Sequence, residues 1–335
     1  ILFFLFFFLI LLFLAAFLVD IVFKGASAFR QAEVLVKVSF DEQSREIPPA
    51  AVSDEVRSLV SRGWLRLLPQ KMNENPELMD TTKELWVVAE GDADQYLKGK
   101  PHSLRPKEVA ALEELKSEGR TRLVFNHYFF TNGDSKLPEI SGILSAAIGS
   151  IYVLFLTILF SFPVGVLTAV YLEEFAPDNW MTRTIEVNIN NLAAIPSILY
   201  GLLGLAIFIN TLGVPRSSAL AGGLTLGLMS LPVIIISARA AIRAVPDSIR
   251  EAAIGVGASR LQMVVHHVLP LSLPGILTGS IIALAQAMGE TAPLLIVGMM
   301  AFIPDAPSGV TDAATVLPAQ IYTWSSAALR PYVER

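Results

Sequence analysis

The sequence predicts an all-α polytopic membrane bundle interrupted by one α+β domain outside the membrane. Three observations predict it. Charge is unevenly spread over the 335 residues: residues 24–139 hold 36 charged side chains, and the other 219 residues hold only 19. Outside that stretch the chain is a series of uncharged runs, each longer than the roughly 18 residues that a spanning helix needs. The arginines then cluster between particular runs, as loop charges do in polytopic proteins. Overall charge content is 16% and hydrophobic content 53%, which excludes an ordinary soluble fold and a disordered chain. Net charge is −5, so nothing electrostatic supports nucleic-acid binding. The chain has no cysteine, which excludes disulfides, thiolate metal sites and a cysteine nucleophile.

The first run, Ile1 to Val19, is uncharged up to Asp20 and predicts a first transmembrane helix over 1–23. A signal peptide is the other reading, because Ala26-Ser27-Ala28 resembles a cleavage site, but its apolar region is usually about 7–15 residues. The chain starts with Ile and has no basic residues before the run. We therefore expect its natural start to lie upstream.

Residues 24–139 form the predicted insert domain. Val34, Val36, Val38 and Phe40 alternate with more polar residues and predict a strand over 32–40. Ser53-Asp54-Glu55 predicts a helix start running to Val60. Lys107–Glu118 reads as a second helix, stopped by Gly119, and Thr121–Phe130 as a second strand before a turn at Thr131–Asp134. Glu90, Asp92 and Asp94 read as a solvated turn, since the spacing of a calcium loop is missing. His102 and His127 each stand alone and read as structural.

Four further apolar stretches build the membrane core, 140–304: Gly142–Leu172, Asn188–Gly213, Ser217–Ala238 and Leu271–Pro304, the last with one charge, Glu290. Pro163, Pro196, Pro232 and Pro293 interrupt them, which spanning helices tolerate. Gly201, Gly204, Gly222, Gly223, Gly227, Gly275 and Gly279 permit close helix approach. Asn188, Asn190 and Asn191 read as helix-entrance caps. The loop 239–270 carries Arg239, Arg243, Arg250 and Arg260, and 173–187 carries Arg183. The positive-inside rule puts both in the cytoplasm. The N-terminus is then cytoplasmic, and 24–139 and 305–335 are outside. Five helices are predicted, with a sixth expected beyond residue 335.

One segment carries a functional pattern. Glu251-Ala252-Ala253, then Gly257, then an apolar position, one residue and Leu269-Pro270 resembles the EAA loop of ABC-importer permeases, with His267 where Ile is usual. Arg260 lies within it. A short amphipathic helix there would dock into a groove of an ATPase subunit. Small Ala252, Ala253 and Gly257 allow close approach and a turn, and Glu251 suits a helix start or a basic groove residue. His266 and His267 read as interface packing. "IPSILYGLLGL" (195–205), "MGETAPLLIVG" (288–298) and "TVLPAQIYTW" (315–324) are similar to phosphate-importer permeases, the second to the PstA type. The resemblance covers about 140–325 and the first helix.

What the resemblance implies is a permease of the ABC importer type with six spanning helices. It would be paired with a PstC-like permease, driven by a PstB-like ATPase dimer, and supplied by a PstS-like binding protein. ATP and magnesium belong to the ATPase, because this chain has no phosphate-binding G-x-x-x-x-G-K-[ST] loop and is expected to hold no cofactor of its own. Glu290 is an ionisable residue in an apolar stretch and so a functional candidate. It repels an anion unless protonated, and holding an arginine is the favoured role. The family often has Arg where Gln286 stands, and acidic and basic residues around Ile236–Ala240, where this chain has Arg239 alone. Glu290, Arg239, Gln286 and Thr291 are the substrate-path candidates. A permease for sulfate or molybdate would look alike at the EAA loop. A membrane sensor would need a cytoplasmic signalling domain, and an intramembrane enzyme would need paired catalytic groups. Neither is found.

Overall fold

A computed structural model describes residues 2–328, 331 and 332. They fall into two compact units, one of residues up to Leu144 together with those from Thr323 onward, the other Ser145–Tyr322.

The first unit opens with α1 (Leu2–Gly25). At about 1.5 Å per residue its 24 residues are long enough to cross a bilayer. Its apolar side chains from Phe3 to Phe23 are exposed all round, as lipid-facing side chains must be. After a single turn, β1 (Arg30–Phe40) pairs antiparallel with β2 (Thr81–Val88) on one side and β3 (Thr121–Phe125) on the other. Val34, Val36, Val38 and Phe40 put one face of β1 into a core with Leu59, Leu65, Leu68 and Leu112.

Three helices of this unit matter below: α2 (Gly91–Leu97), α3 (Pro106–Ser117) and α4 (His127–Thr131). The expected helix at 53–60 is one turn, Asp54–Arg57. α3 ends as expected, with Gly119 at φ +71°, a conformation that favours glycine. The second expected strand stops at Phe125, because Asn126 caps α4. Its Oδ1 accepts from Phe129 N at 3.2 Å, and its Nδ2 donates to Ala28 O at 2.9 Å. β2 was not predicted: its first half, Thr-Thr-Lys-Glu, is polar, and Val87, Val88 and Ala89 are all buried, so no alternation marks it.

The acidic turn is not solvated. Asp94 is buried, accepts from Ala32 N at 2.7 Å and pairs with Lys98 at 2.6 Å. Glu90 caps α2 by accepting from Asp92 N at 2.8 Å, and burial pushes its carboxyl above the usual range. Among the described residues no group of three could hold a metal ion. Asp134, in the expected turn, is buried and accepts from Ser141 Oγ and Trp324 Nε1.

The second unit is helical. α5 (Leu144–Val170) continues as a wider π-helical turn, Tyr171–Phe175. Next come α6 (Trp180–Ala193), α7 (Ser197–Gly204), α8 (Ala219–Arg243), α9 (Asp247–Gly255) and α10 (Arg260–Gly289). Among the described residues, counting α1, four helices are long and apolar enough to cross a membrane, or five if the bent pair of Trp180–Ala193 with Ser197–Thr211 is one span. That pair occupies the apolar stretch expected over 188–213, which Pro196 interrupts, and it starts upstream at Trp180. It bends by 106° at Ala194–Pro196, because proline has no N–H to give and disfavours helix in the residue before it. Asn188, Asn190 and Asn191 therefore lie in the last turns of α6, exposed. They cap no helix start, and Asn188 Nδ2 donates back to Thr184 O. The last apolar run also divides differently. α10 begins upstream at Arg260 and ends at Gly289, so Glu290 follows the helix in an extended conformation instead of sitting inside it.

α8 is the central helix. Its most apolar window is 67% buried, against 28% for α5 and for α10. Small residues make that possible. A Cβ on Gly223 would lie 2.5 Å from Leu156, on Gly227 2.7 Å from Phe160, and on Gly275 2.8 Å from Ala241.

We expect Gly279→Val, which would drive a side chain into Ser237 of α8, to destabilise the bundle by about 1–3 kcal/mol through overpacking. Gly289→Ala, with open space around it, should leave the melting temperature in detergent unchanged. The Glu90 carboxyl is raised from 4.5 in the folded state. The folded unit therefore binds more protons than the unfolded chain just above that pH, and stability falls as pH rises through the window. Glu90→Gln keeps the cap and should flatten this slope, gaining stability at neutral pH but not below pH 4.5. Hydrogen exchange in β1 measured against pH checks it.

Candidate functional site: the α8–α10 connection

The EAA segment sits at one end of the helical unit. Val245-Pro246 ends the run of α8, with Pro246 extended in the N-cap position and Asp247 in the first turn of α9, where an acidic side chain is favoured. α9 stops at Gly255, and Gly257 adopts φ +88°, which disfavours any side chain. Ser259 and Gln262 then form a reciprocal capping box: Gln262 N donates to Ser259 Oγ, and Ser259 N to Gln262 Oε1. This starts α10 at Arg260. The projecting helix is thus Asp247–Gly255, which begins four residues before the Glu251-Ala252-Ala253 triplet. Glu251 lies in its middle, and the acid at the helix start is Asp247.

α9 buries Ala253 against Ala238, Ile242, Val245, Met263 and Val268. It leaves Glu251 and Ala252 exposed. Ile254, Val256 and Leu261 are 53%, 85% and 63% exposed. α9 and the turn after it thus expose three large apolar side chains and one carboxylate that has no partner among the described residues. Leu269 and Pro270 lie inside α10, just after a π-helical turn, Val264–Val268. Pro270 brings no N–H to that part of the helix. His266 and His267 are exposed on this turn.

A set of ion pairs ties this connection to the end of α5. Arg250 Nη2 bonds Glu174 Oε1 at 2.9 Å and Ile242 O at 3.0 Å, while its Nη1 bonds Val245 O at 2.6 Å and Asp247 at 3.1 Å. The Glu174 side chain is only 6% exposed. Arg239, 7% exposed, bridges Glu173 on the π turn and Glu186 on α6, both at 2.5 Å. Arg243 takes the other Glu173 oxygen at 2.7 Å. Guanidinium–carboxylate geometry of this kind is directional, and the Arg239–Glu173 and Arg250–Glu174 pairs are largely shielded from water, where losing one partner is costly.

The residues expected to face substrate are not brought together. Arg239 is held by two carboxylates at the end of α8. Glu290 lies beyond the far end of α10. Gly279 meets Ser237 where α8 and α10 cross, so at about 1.5 Å per residue Glu290 is on the order of 17 Å away along the bundle. Among the described residues Glu290 makes no ion pair, and no arginine is held by it. Gln286 is exposed and Thr291 half-buried. Sequence reading missed Glu173, Glu174, Glu186 and the bracing role of Arg250. The signal was present: acids closing one predicted cytoplasmic loop and arginines filling the other.

Arg250→Ala should leave Glu174 buried without this partner, at a cost of about 3–5 kcal/mol. Hydrogen exchange over 247–255 should accelerate. The double change Arg250→Met with Glu174→Leu should recover most of the protection, because no buried charge remains.

A family model described as binding-protein-dependent transport system inner membrane component matches residues 161–329. The chain is 36% identical over 167 residues to a probable ABC transporter permease protein, YqgI, of Bacillus subtilis (strain 168), covering 50% of this chain and 56% of that protein. It is 35% identical over 162 residues to the phosphate transport system permease protein PstA 1 of Mycobacterium tuberculosis (strain H37Rv), covering 48% and 52%. The chain thus spans about half the length of the curated relatives it matches. Among solved structures, inward-facing MetNI methionine ABC transporter aligns with 53% of this chain and 77% of its own at 20% identity and a TM-score of 0.42. The matched residues take in half of the sequence, including the whole of α6 to α10, and the chain belongs to the family of binding-protein-dependent transport system inner membrane components.

Proposed function

We propose that this chain is the permease subunit of an ATP-driven importer of inorganic phosphate. One observation carries the choice of substrate: relatives named phosphate transport system permease PstA are 35% and 33% identical to it over 162 and 157 residues. The site supports the mode of action. α9 and the turn after it expose Glu251 together with Ile254, Val256 and Leu261, a mix of one acid and apolar side chains suited to a groove with a basic residue on a separate ATPase. ATP and Mg²⁺ bind there and not to this chain. ATP-driven closure of that ATPase pair moves α9. Arg250 and Arg239 carry the motion to α5 and α6, because each grips a carboxylate on the neighbouring element. The bundle then alternates between two faces. A PstC-like permease and a PstB-like ATPase dimer complete the assembly, and a PstS-like binding protein delivers phosphate. The chain lies in the cytoplasmic membrane with 24–139 outside and α9 inside. Arg239 is occupied by Glu173 and Glu186, so the cations that meet phosphate come from the partner permease. Glu290, Gln286 and Thr291 remain the path candidates on this side.

The test is a reconstituted complex with the two ATPases, the partner permease and the binding protein. Phosphate should stimulate ATP hydrolysis, and sulfate or molybdate should not. Stimulation by sulfate alone would assign another oxyanion. Val256→Asp should lower the recovery of ATPase with the complex at least tenfold and abolish uptake. Glu290→Gln should keep assembly intact and reduce uptake; wild-type uptake would remove Glu290 from the path.

A further inference from the structure

The first unit carries an exposed aromatic array. Phe29 stacks on Phe130 at 5.9 Å, and Phe130 stacks on Phe125 at 5.6 Å with the rings 5° from parallel. Phe129 meets both Phe29 and Phe130 edge-on, and His127 meets Phe125 edge-on at 5.1 Å. Phe129 is buried, but Phe29, Phe125, Phe130 and the neighbouring Leu123 are 45%, 53%, 42% and 44% exposed. A contiguous apolar patch left in the open marks an interaction surface.

Chain connectivity says what covers it. Phe29 follows the last residue of α1, Gly25, by four residues, at most about 14 Å of extended chain. On the other side the patch is bonded directly to the start of α5. Ile143 N donates to Phe129 O at 2.9 Å, and Leu144 N donates to Asn132 O at 3.0 Å. Both α1 and α5 are long and apolar enough to cross a membrane. The patch therefore lies within a few residues, along the chain, of the ends of two helices long enough to span, and aromatic rings are favoured at the boundary between headgroups and acyl chains. Exposed Arg30, in register with Phe125, supplies a cation for lipid phosphate.

We propose that Phe29, Leu123, Phe125 and Phe130 form a lipid-facing seat on which the α+β unit rests against the bilayer. This rests on α1 and α5 being spans. The chain has no cysteine, so single nitroxide labels report cleanly. Leu123→Cys, Phe125→Cys and Phe130→Cys would be labelled in the full chain, in nanodiscs of phosphatidylethanolamine and phosphatidylglycerol. Phe13→Cys, within α1, and Lys83→Cys, opposite Val38 on β2 and so about 26 Å along the sheet from Arg30, are the references. Power saturation compares collision with oxygen and with a water-soluble nickel chelate. The expected result is an oxygen-to-nickel ratio at 123, 125 and 130 severalfold above that at 83 and below that at 13. Lipid exposure at 13 with ratios at the patch equal to that at 83 would overturn the seat alone. Water exposure at 13 as well would overturn the membrane reading and the seat with it. Shielding of the patch labels from both reagents only when partner subunits are added would assign the patch to a protein and overturn the proposal.

Discussion

Arg250 performs several tasks with one guanidinium. It bonds the carbonyl of Ile242 in the last turn of α8 and that of Val245 just past its end, it pairs with Asp247 at the start of α9, and it grips Glu174 beyond α5. A helix end leaves about four carbonyls unsatisfied. Here a charged side chain from the next helix reaches back to two carbonyls at and just past that end, so the turn, the projecting helix and the neighbouring helix are held by the same group. The position of α9, and therefore any coupling through it, depends on that bond set. Arg239 and Arg243 extend it to Glu173 and Glu186, turning an isolated pair into a network that links α5, α6, α8 and α9.

The rest of the bundle is arranged around α8 by close packing. In lipid the hydrophobic effect does not draw helices together, so contact area at short range has to do it. Glycines at 223, 227, 275 and 279 bring α5 and α10 within contact of α8, and a methyl group at any of them meets a neighbour. This rigid centre contrasts with α6 and α7, whose bend at Pro196 leaves α6 amphipathic and largely exposed in the isolated chain.

Much of this was legible. Uncharged runs marked α1, α5, α8 and α10, because crossing a bilayer demands long apolar helices, and the EAA spacing marked α9 and its turn. The glycine at 257 was readable because only a left-handed turn needs it there. Glu290 was misplaced because an apolar run records hydrophobicity and not where the helix ends. β2 was invisible because its two halves face different surroundings. Asp94 and Glu90 read as solvent-facing, since nothing local signals that Ala32, 62 residues away, comes to meet Asp94.

The sequence by itself determined the class of protein and the division between a charged stretch and apolar runs, since these follow from composition and from local spacing, and the resemblance at 251–270 pointed to α9 and its turn. Tertiary structure decided which charges meet. Glu173 and Glu174 are neighbours in sequence, yet one pairs with Arg239 and Arg243 and the other with Arg250. Trp324 returns to bond Asp134 across 190 residues. Pairings of this kind have no local signature, because a charge or a donor is indifferent to sequence distance and responds only to what packing brings within about 3 Å.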